Sequence, residues 1–149
     1  MIMGSQRMYN PKGGFSGYLY IQKGDIIKAS NGVEGKVVEK INGSSFDGLP
    51  TFSNTHEVYL KVNDKGEVVQ ARVYKDRKPV CDFDFDHEHT NPKSGETFPP
   101  GVVHVQEWKQ RSNGDFYRDS KHARYMSNAE ILRYGELIKI VNSVVKLRP

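Results

Sequence analysis

Cysteine is almost absent from this 149-residue chain. Cys81 stands alone, which excludes an intrachain disulfide and a cysteine-based zinc cage. No apolar run approaches the ~18–20 residues of a membrane span. The opening Met1-Ile2-Met3-Gly4-Ser5-Gln6-Arg7 lacks the apolar core of a secretory signal. Charge of one sign is also scarce. Lys and Arg number 22 against 18 Asp and Glu, and the net +4 is far below that of a dedicated DNA-packaging protein. There is no Walker-type phosphate loop, Gly13-Gly14 is not a dinucleotide fingerprint, and no Ser or Cys sits in a recognisable nucleophile setting. Cys81 lies in an apolar and acidic stretch that should raise its pKa, so it is expected to be packed rather than reactive. These absences lead to the expectation of a soluble, cytoplasmic domain with no membrane partner.

The 36% hydrophobic and 27% charged residues fit one globular domain, expected over 18–149. Residues 1–17, rich in Gly, Asn, Pro, Lys and Ser, read as an extended lead-in. Short apolar runs at 18–21, 25–29 and 35–41, separated by Lys23-Gly24 and Asn31-Gly32, read as strands, and 42–55 as a loop. The clearest hairpin joins 57–62 to 67–74 through Asn63-Asp64-Lys65-Gly66, a type I turn closed by a glycine at positive φ. Alternation puts Val58, Leu60 and Val62 on one face of the first arm, and Val69, Ala71 and Val73 on one face of the second. Ser127-Asn128-Ala129-Glu130 has capping-box spacing. Ile131, Tyr134, Leu137, Ile138, Val141, Val144 and Val145 then recur at helical intervals. This predicts an amphipathic helix over 127–146, weakest at Gly135, lying on the sheet. The expected class is α+β: a mostly antiparallel β-sheet packed by a C-terminal amphipathic helix.

Candidate chemistry concentrates between residues 82 and 124. Asp82, Asp84, Asp86 and Glu88 form an acidic knot, followed by a basic arm of Lys109, Arg111, Arg118, Lys121 and Arg124. On a strand, Asp82, Asp84 and Asp86 share the face opposite Phe83 and Phe85, their carboxylates roughly 6.5–7 Å apart. Such carboxylates repel unless a cation, a proton, basic side chains or solvent offsets them. The bland reading is an edge strand whose acids discourage aggregation. The acidic run leads into His87 and His89, however, and four of the five histidines (His87, His89, His104, His122) fall between residues 87 and 122. After a loop over 90–101, residues 102–108 read as a strand with His104, Gln106 and Trp108 on one face. Pairing of this strand with the acidic one brings His104 near Asp84, Asp86 or His89. A carboxylate beside an imidazole suits acid–base catalysis, and the same groups suit a divalent metal.

These residues also carry a resemblance. The stretch from Arg72-Val73-Tyr74-Lys75-Asp76 through Asp82-Phe83-Asp84-Phe85-Asp86-His87 to Pro100-Gly101-Val102-Val103-His104-Val105-Gln106-Glu107-Trp108 resembles small domains of prophages and bacterial polymorphic toxin systems. It covers about residues 72–108. Where that pattern has a second histidine this chain has Gln106, so a two-histidine mechanism needs His87 or His89 in the missing role. The resemblance implies a nuclease that acts on RNA and has a cognate inhibitor protein as partner.

Three readings follow. In the first, His104 with His87, His89, Asp84 and Asp86 supplies acid–base cleavage of RNA. Arg111, Arg118, Lys121, His122 and Arg124, interleaved with Phe116, Tyr117 and Tyr125, then grip phosphates and bases. In the second, the domain is a non-catalytic protein- or nucleic-acid-binding module of a mobile element. In the third, the Asp/His cluster holds a divalent ion in a metal-dependent hydrolase.

Overall fold

The computed structural model describes residues 24–38 and 49–149. The expected lead-in, the strand at 18–21 and the end of the run at 35–41 lie outside the described residues. Among the described residues nine strands and one helix follow in chain order: β1 (Ile26–Lys28), β2 (Glu34–Val37), β3 (Val58–Val62), β4 (Val68–Lys75), β5 (Lys78–Asp84), β6 (His89–Thr90), β7 (Thr97–Phe98), β8 (His104–Gln110), β9 (Phe116–Arg118) and α1 (Asn128–Val141). Seven strands form a sheet in the order β1-β2-β3-β4-β5-β8-β9, antiparallel except where β2 meets β3. β6 and β7 make a separate two-stranded ribbon. The fold is α+β, mostly antiparallel, with the single described helix on one face of the sheet. No helix among the described residues is long and apolar enough to cross a membrane.

The core lies between α1 and one sheet face. Val58, Leu60, Ala71, Val73, Cys81, Phe83 and Val105 meet Leu137, Ile138 and Val141 there. Each fully buried aliphatic side chain contributes roughly 1.5–3 kcal/mol. Gly35 permits the closest approach: a Cβ at this position would stand 2.9 Å from Leu60 Cδ1 and 3.1 Å from Leu137 Cδ2. Cys81 is buried here, and burial raises its thiol pKa well above the usual range, so it is packed as expected.

Four expectations need correction. In the hairpin, Lys61 opposes Gln70 but Val62 opposes Val68, so Val69 is the extra residue of a bulge. Val68, not Val69, therefore joins Ala71 and Val73 in the core. The helix stops at Val141 rather than 146. Asn142 is extended there (φ −150°), its N–H donating to Ile138 O and its side chain to Val68 O. The chain then runs beside residue 102, with Lys146 N donating to Gly101 O and Val103 N to Lys146 O, so Val144 is exposed while Val145 is buried. Gly135 is buried where a Cβ would come within 2.9 Å of Leu147 Cδ1; its missing side chain makes room for this returning tail. The acidic strand is not an edge, since β5 sits between β4 and β8.

Helix and sheet are also tied by charge. Ser127 caps the helix in the expected box with Glu130. Glu57, just before β3, accepts two hydrogen bonds from Arg133 (2.8 and 2.6 Å) and one from the Tyr134 hydroxyl. The Arg133 bonds, against the opposing effect of partial burial, lower the Glu57 pKa. A carboxylate with a lowered folded pKa stabilises the protein above its unfolded value, and that contribution disappears as pH falls through the folded one. Glu57→Gln should thus cost about 1 kcal/mol at pH 7. Urea unfolding at successively lower pH should show this difference from wild type shrinking below about pH 4.

Candidate metal centre

The opposite face of the sheet carries polar side chains, yet it too is buried at its centre. Cross-strand register places Arg72, Asp82 and Gln106 in one row, and Gln70, Asp84 and His104 in the next. Trp108 of β8 stands opposite Arg118 of β9. Asp82, at 0% exposure, accepts from Gln70 Nε2 (2.9 Å), Arg72 Nε (2.6 Å) and Nη2 (3.0 Å), Trp108 Nε1 (2.9 Å) and Arg118 Nη1 (3.0 Å). Arg72 also donates Nη1 to the carbonyls of Leu49 (2.6 Å) and Pro50 (3.2 Å), which draws residues 49–51 over this face. Between that cover and the sheet lies a cleft of about 380 Å³, lined among others by Thr51, Lys61, Asp84, His87, Trp108 and Arg118.

Asp84, His87 and His104 meet at one end of the cleft. Each offers a ligating oxygen or nitrogen, and these three atoms lie within 4.8 Å of one another. Asp84 and His104 are brought together by the β5–β8 pairing. His87 folds back from the turn after β5, its Nδ1 3.1 Å from Asp84 Oδ1 and 3.0 Å from Asp86 Oδ1. Only the Asp86 contact has hydrogen-bond geometry. Asp84 Oδ1 and both ring nitrogens of His104 are buried without a hydrogen-bond partner among the described residues.

The β6–β7 ribbon and its flanks seal His104 from the other side. The His89 ring stacks on that of His104 with centroids 5.4 Å apart, and Phe98 packs at 5.9 Å. His89 Nε2 donates to Ser120 O (2.8 Å), which fixes the ring. Asn91 holds the ribbon in place, donating to Ala123 O and accepting from Ala123 N, both at 2.9 Å. Burial, reinforced by the charges of His89 and His87, pushes the His104 pKa down to about 4, so its imidazole is neutral at pH 7. Burial likewise pushes the Asp84 carboxyl up to about 6, against the opposing pull of His87.

Neutral imidazole nitrogens and a carboxylate oxygen are the donor set of zinc and neighbouring first-row metals. The more exposed His87 (62% side-chain exposure) has room to adjust, while Asp84 and His104 are fixed by the sheet.

The predicted site residues thus divide. Asp84, His87 and His104 converge, His89 walls the site, and Asp86 orients His87 from its exposed position. Of the basic arm only Arg118 lines the cleft. Arg111 lies over the Tyr117 ring at 4.2 Å, and His122 bonds Asp119 (2.9 Å), which also pairs with Lys109 (2.8 Å). Arg124 is held by Glu107 (3.0 Å) and Glu130 (2.7 Å), so its guanidinium serves the fold; Lys121 is exposed. The arm is a hairpin and its return segment rather than one cationic surface. Sequence reasoning overlooked the Arg72–Asp82 pair and Lys61. The two-residue turn at Asp76-Arg77 alone would set Arg72 opposite Cys81; the bulge at Val80 shifts the register by one and brings Arg72 opposite Asp82. Comparison with models of known protein families, with curated proteins and with solved structures finds no match.

A buried imidazole with no partner should cost stability on the order of 1–3 kcal/mol. His104→Leu is therefore expected to leave the metal-free protein as stable as wild type or more so, measured by urea unfolding in chelator. A loss of several kcal/mol, ordinary for a core substitution, would contradict the unsatisfied state of His104.

Proposed function

We propose that the protein is a divalent-metal-dependent hydrolase whose ion is held by Asp84, His87 and His104. One observation carries this reading: a fully buried histidine with neither ring nitrogen hydrogen-bonded among the described residues, beside a buried carboxylate oxygen that also lacks a hydrogen-bond partner there. Buried polar groups are almost always satisfied, and a bound ion is a standard reason for an apparent exception. Acid–base cleavage by His104, the first reading of the sequence, fits this environment less well. A proton donor or acceptor must reach substrate, and an imidazole at 0% exposure that stays neutral at pH 7 is placed for ligation instead. Three protein ligands with the cleft alongside match the pattern of a hydrolytic zinc site, in which a further position stays open for water. The ion's part is to polarise the scissile group and make water a better nucleophile.

Calorimetry with Zn²⁺ should give one ion per chain. Asp84→Asn, His87→Ala and His104→Ala should each weaken that affinity roughly 100-fold or more, since even groups supporting a ligand cost 10–100-fold. Turnover on a panel of chromogenic carboxylic, phosphate and glycosidic substrates should vanish in chelator and return with Zn²⁺. Absence of stoichiometric binding, or turnover indifferent to chelator, would overturn the reading.

A further inference from the structure

The cleft beside the three ligands is lined unequally in charge. Lys61 enters from β3, Arg72 from β4 and Arg118 from β9, against Asp84 from β5, while Asp82 lies buried beneath. Arg72 is spent: its three donor nitrogens go to Asp82 and to the carbonyls of Leu49 and Pro50. Among the described residues Arg118 gives only Nη1, to Asp82, so Nε and Nη2 keep their donors, and its side chain is 39% exposed. Lys61 has no ion pair among the described residues. Asp82 is saturated by its five donors, and Asp84 is taken by the ion in the metal reading. Two cations therefore face the open cleft, and an ion at Asp84, His87 and His104 adds further positive charge at its end.

Resting on the metal reading, we infer that this cleft binds the phosphate group of a phosphate ester, between the ion and the paired grip of Arg118 and Lys61. A guanidinium with two donors to spare grips two oxygens of a carboxylate or a phosphate alike and disfavours a neutral ester. The ammonium across the cleft, together with the ion, calls for further oxygens on the same group, which a phosphate has and a carboxylate lacks. Asp82 acts here as a positioning residue. It holds the Arg118 guanidinium in place from below while leaving its remaining donors free, much as a carboxylate behind a metal-bound histidine holds the ring. Trp108, which donates its indole N–H to the same carboxylate and lies under the Arg72 guanidinium at 4.5 Å, forms a rigid apolar wall. Hydrolysis there forms a bond from the water oxygen to phosphorus and breaks the phosphorus–oxygen bond to the alcohol, the departing oxygen taking a proton from the water. RNA, the substrate expected from the sequence, belongs to this class.

The test uses the full chain loaded with Co²⁺, whose visible absorption reports its ligands, titrated with inorganic phosphate at constant ionic strength in chloride. Wild type should show a saturable spectral change. Arg118→Gln should weaken apparent phosphate affinity about 10-fold and Lys61→Gln a few-fold, with Co²⁺ affinity unchanged in both. Arg118→Gln leaves Asp82 its bonds from Gln70, Arg72 and Trp108, and near-UV circular dichroism checks that the fold persists. Co²⁺ bound normally with no phosphate response, or a response identical in Arg118→Gln, overturns this inference and leaves the metal reading standing. If Co²⁺ does not bind, the metal reading fails. Phosphate binding is then measured by calorimetry on the metal-free chain, where absence of binding, or binding indifferent to Arg118→Gln, overturns this inference as well.

Discussion

The carboxylate of Asp82 is the constraint on which the polar face depends. Removing such a group from water costs several kcal/mol, and partial pairing would not offset it. Five hydrogen bonds from four side chains, two of them arginines, supply the compensation. They come from β4, β8 and β9, so one carboxylate cross-links the strands on either side of its own. Through Arg72 the effect reaches further, because the same guanidinium holds the carbonyls of residues 49 and 50 over the sheet. The cleft has a roof because Arg72 is held, and Arg72 is held because Asp82 is buried beneath it.

Burial on both sides of the central strands then sets the electrostatics of the neighbouring row. Asp84 and His104 are shifted in opposite directions by the same cause, since each environment disfavours the charged form. A site assembled from such groups keeps its donor atoms neither solvated nor mutually bonded. That is costly in isolation, and the rest of the sheet, with its continuous apolar face under α1, is what sustains it.

Much of this architecture was legible from local pattern. Alternation gave the faces of β5 and β8 and of β4 beyond its bulge, the capping box gave the start of α1, and pairing of the two strands, which the sequence offered as a condition for His104 to meet Asp84, Asp86 or His89, sets it opposite Asp84. What alternation could not show is whether the polar face of the sheet meets solvent. Here Gln70, Arg72, Asp82, Asp84, His104 and Gln106 satisfy the polar half of the pattern and are buried nonetheless. Bulges were a second blind spot. The extra residues at Val69 and Val80 reassign neighbouring side chains, and nothing in either residue type announces it, although Pro79 removes a ladder donor beside the second. Basic residues misled for a simpler reason. Their clustering along the chain says nothing about which carboxylates the fold will set against them: Arg124 meets both Glu107 and Glu130, and His122 meets Asp119.

The clamp between Asn91 and Ala123 decides how anything travels to and from His104. Two buried hydrogen bonds, together with the one from His89 to the carbonyl of Ser120, bolt the β6–β7 ribbon to the segment that follows β9. That flank behaves as a wall rather than a door. Among the described residues the approach to His104 is therefore one-sided, past the exposed ring of His87 at the end of the cleft.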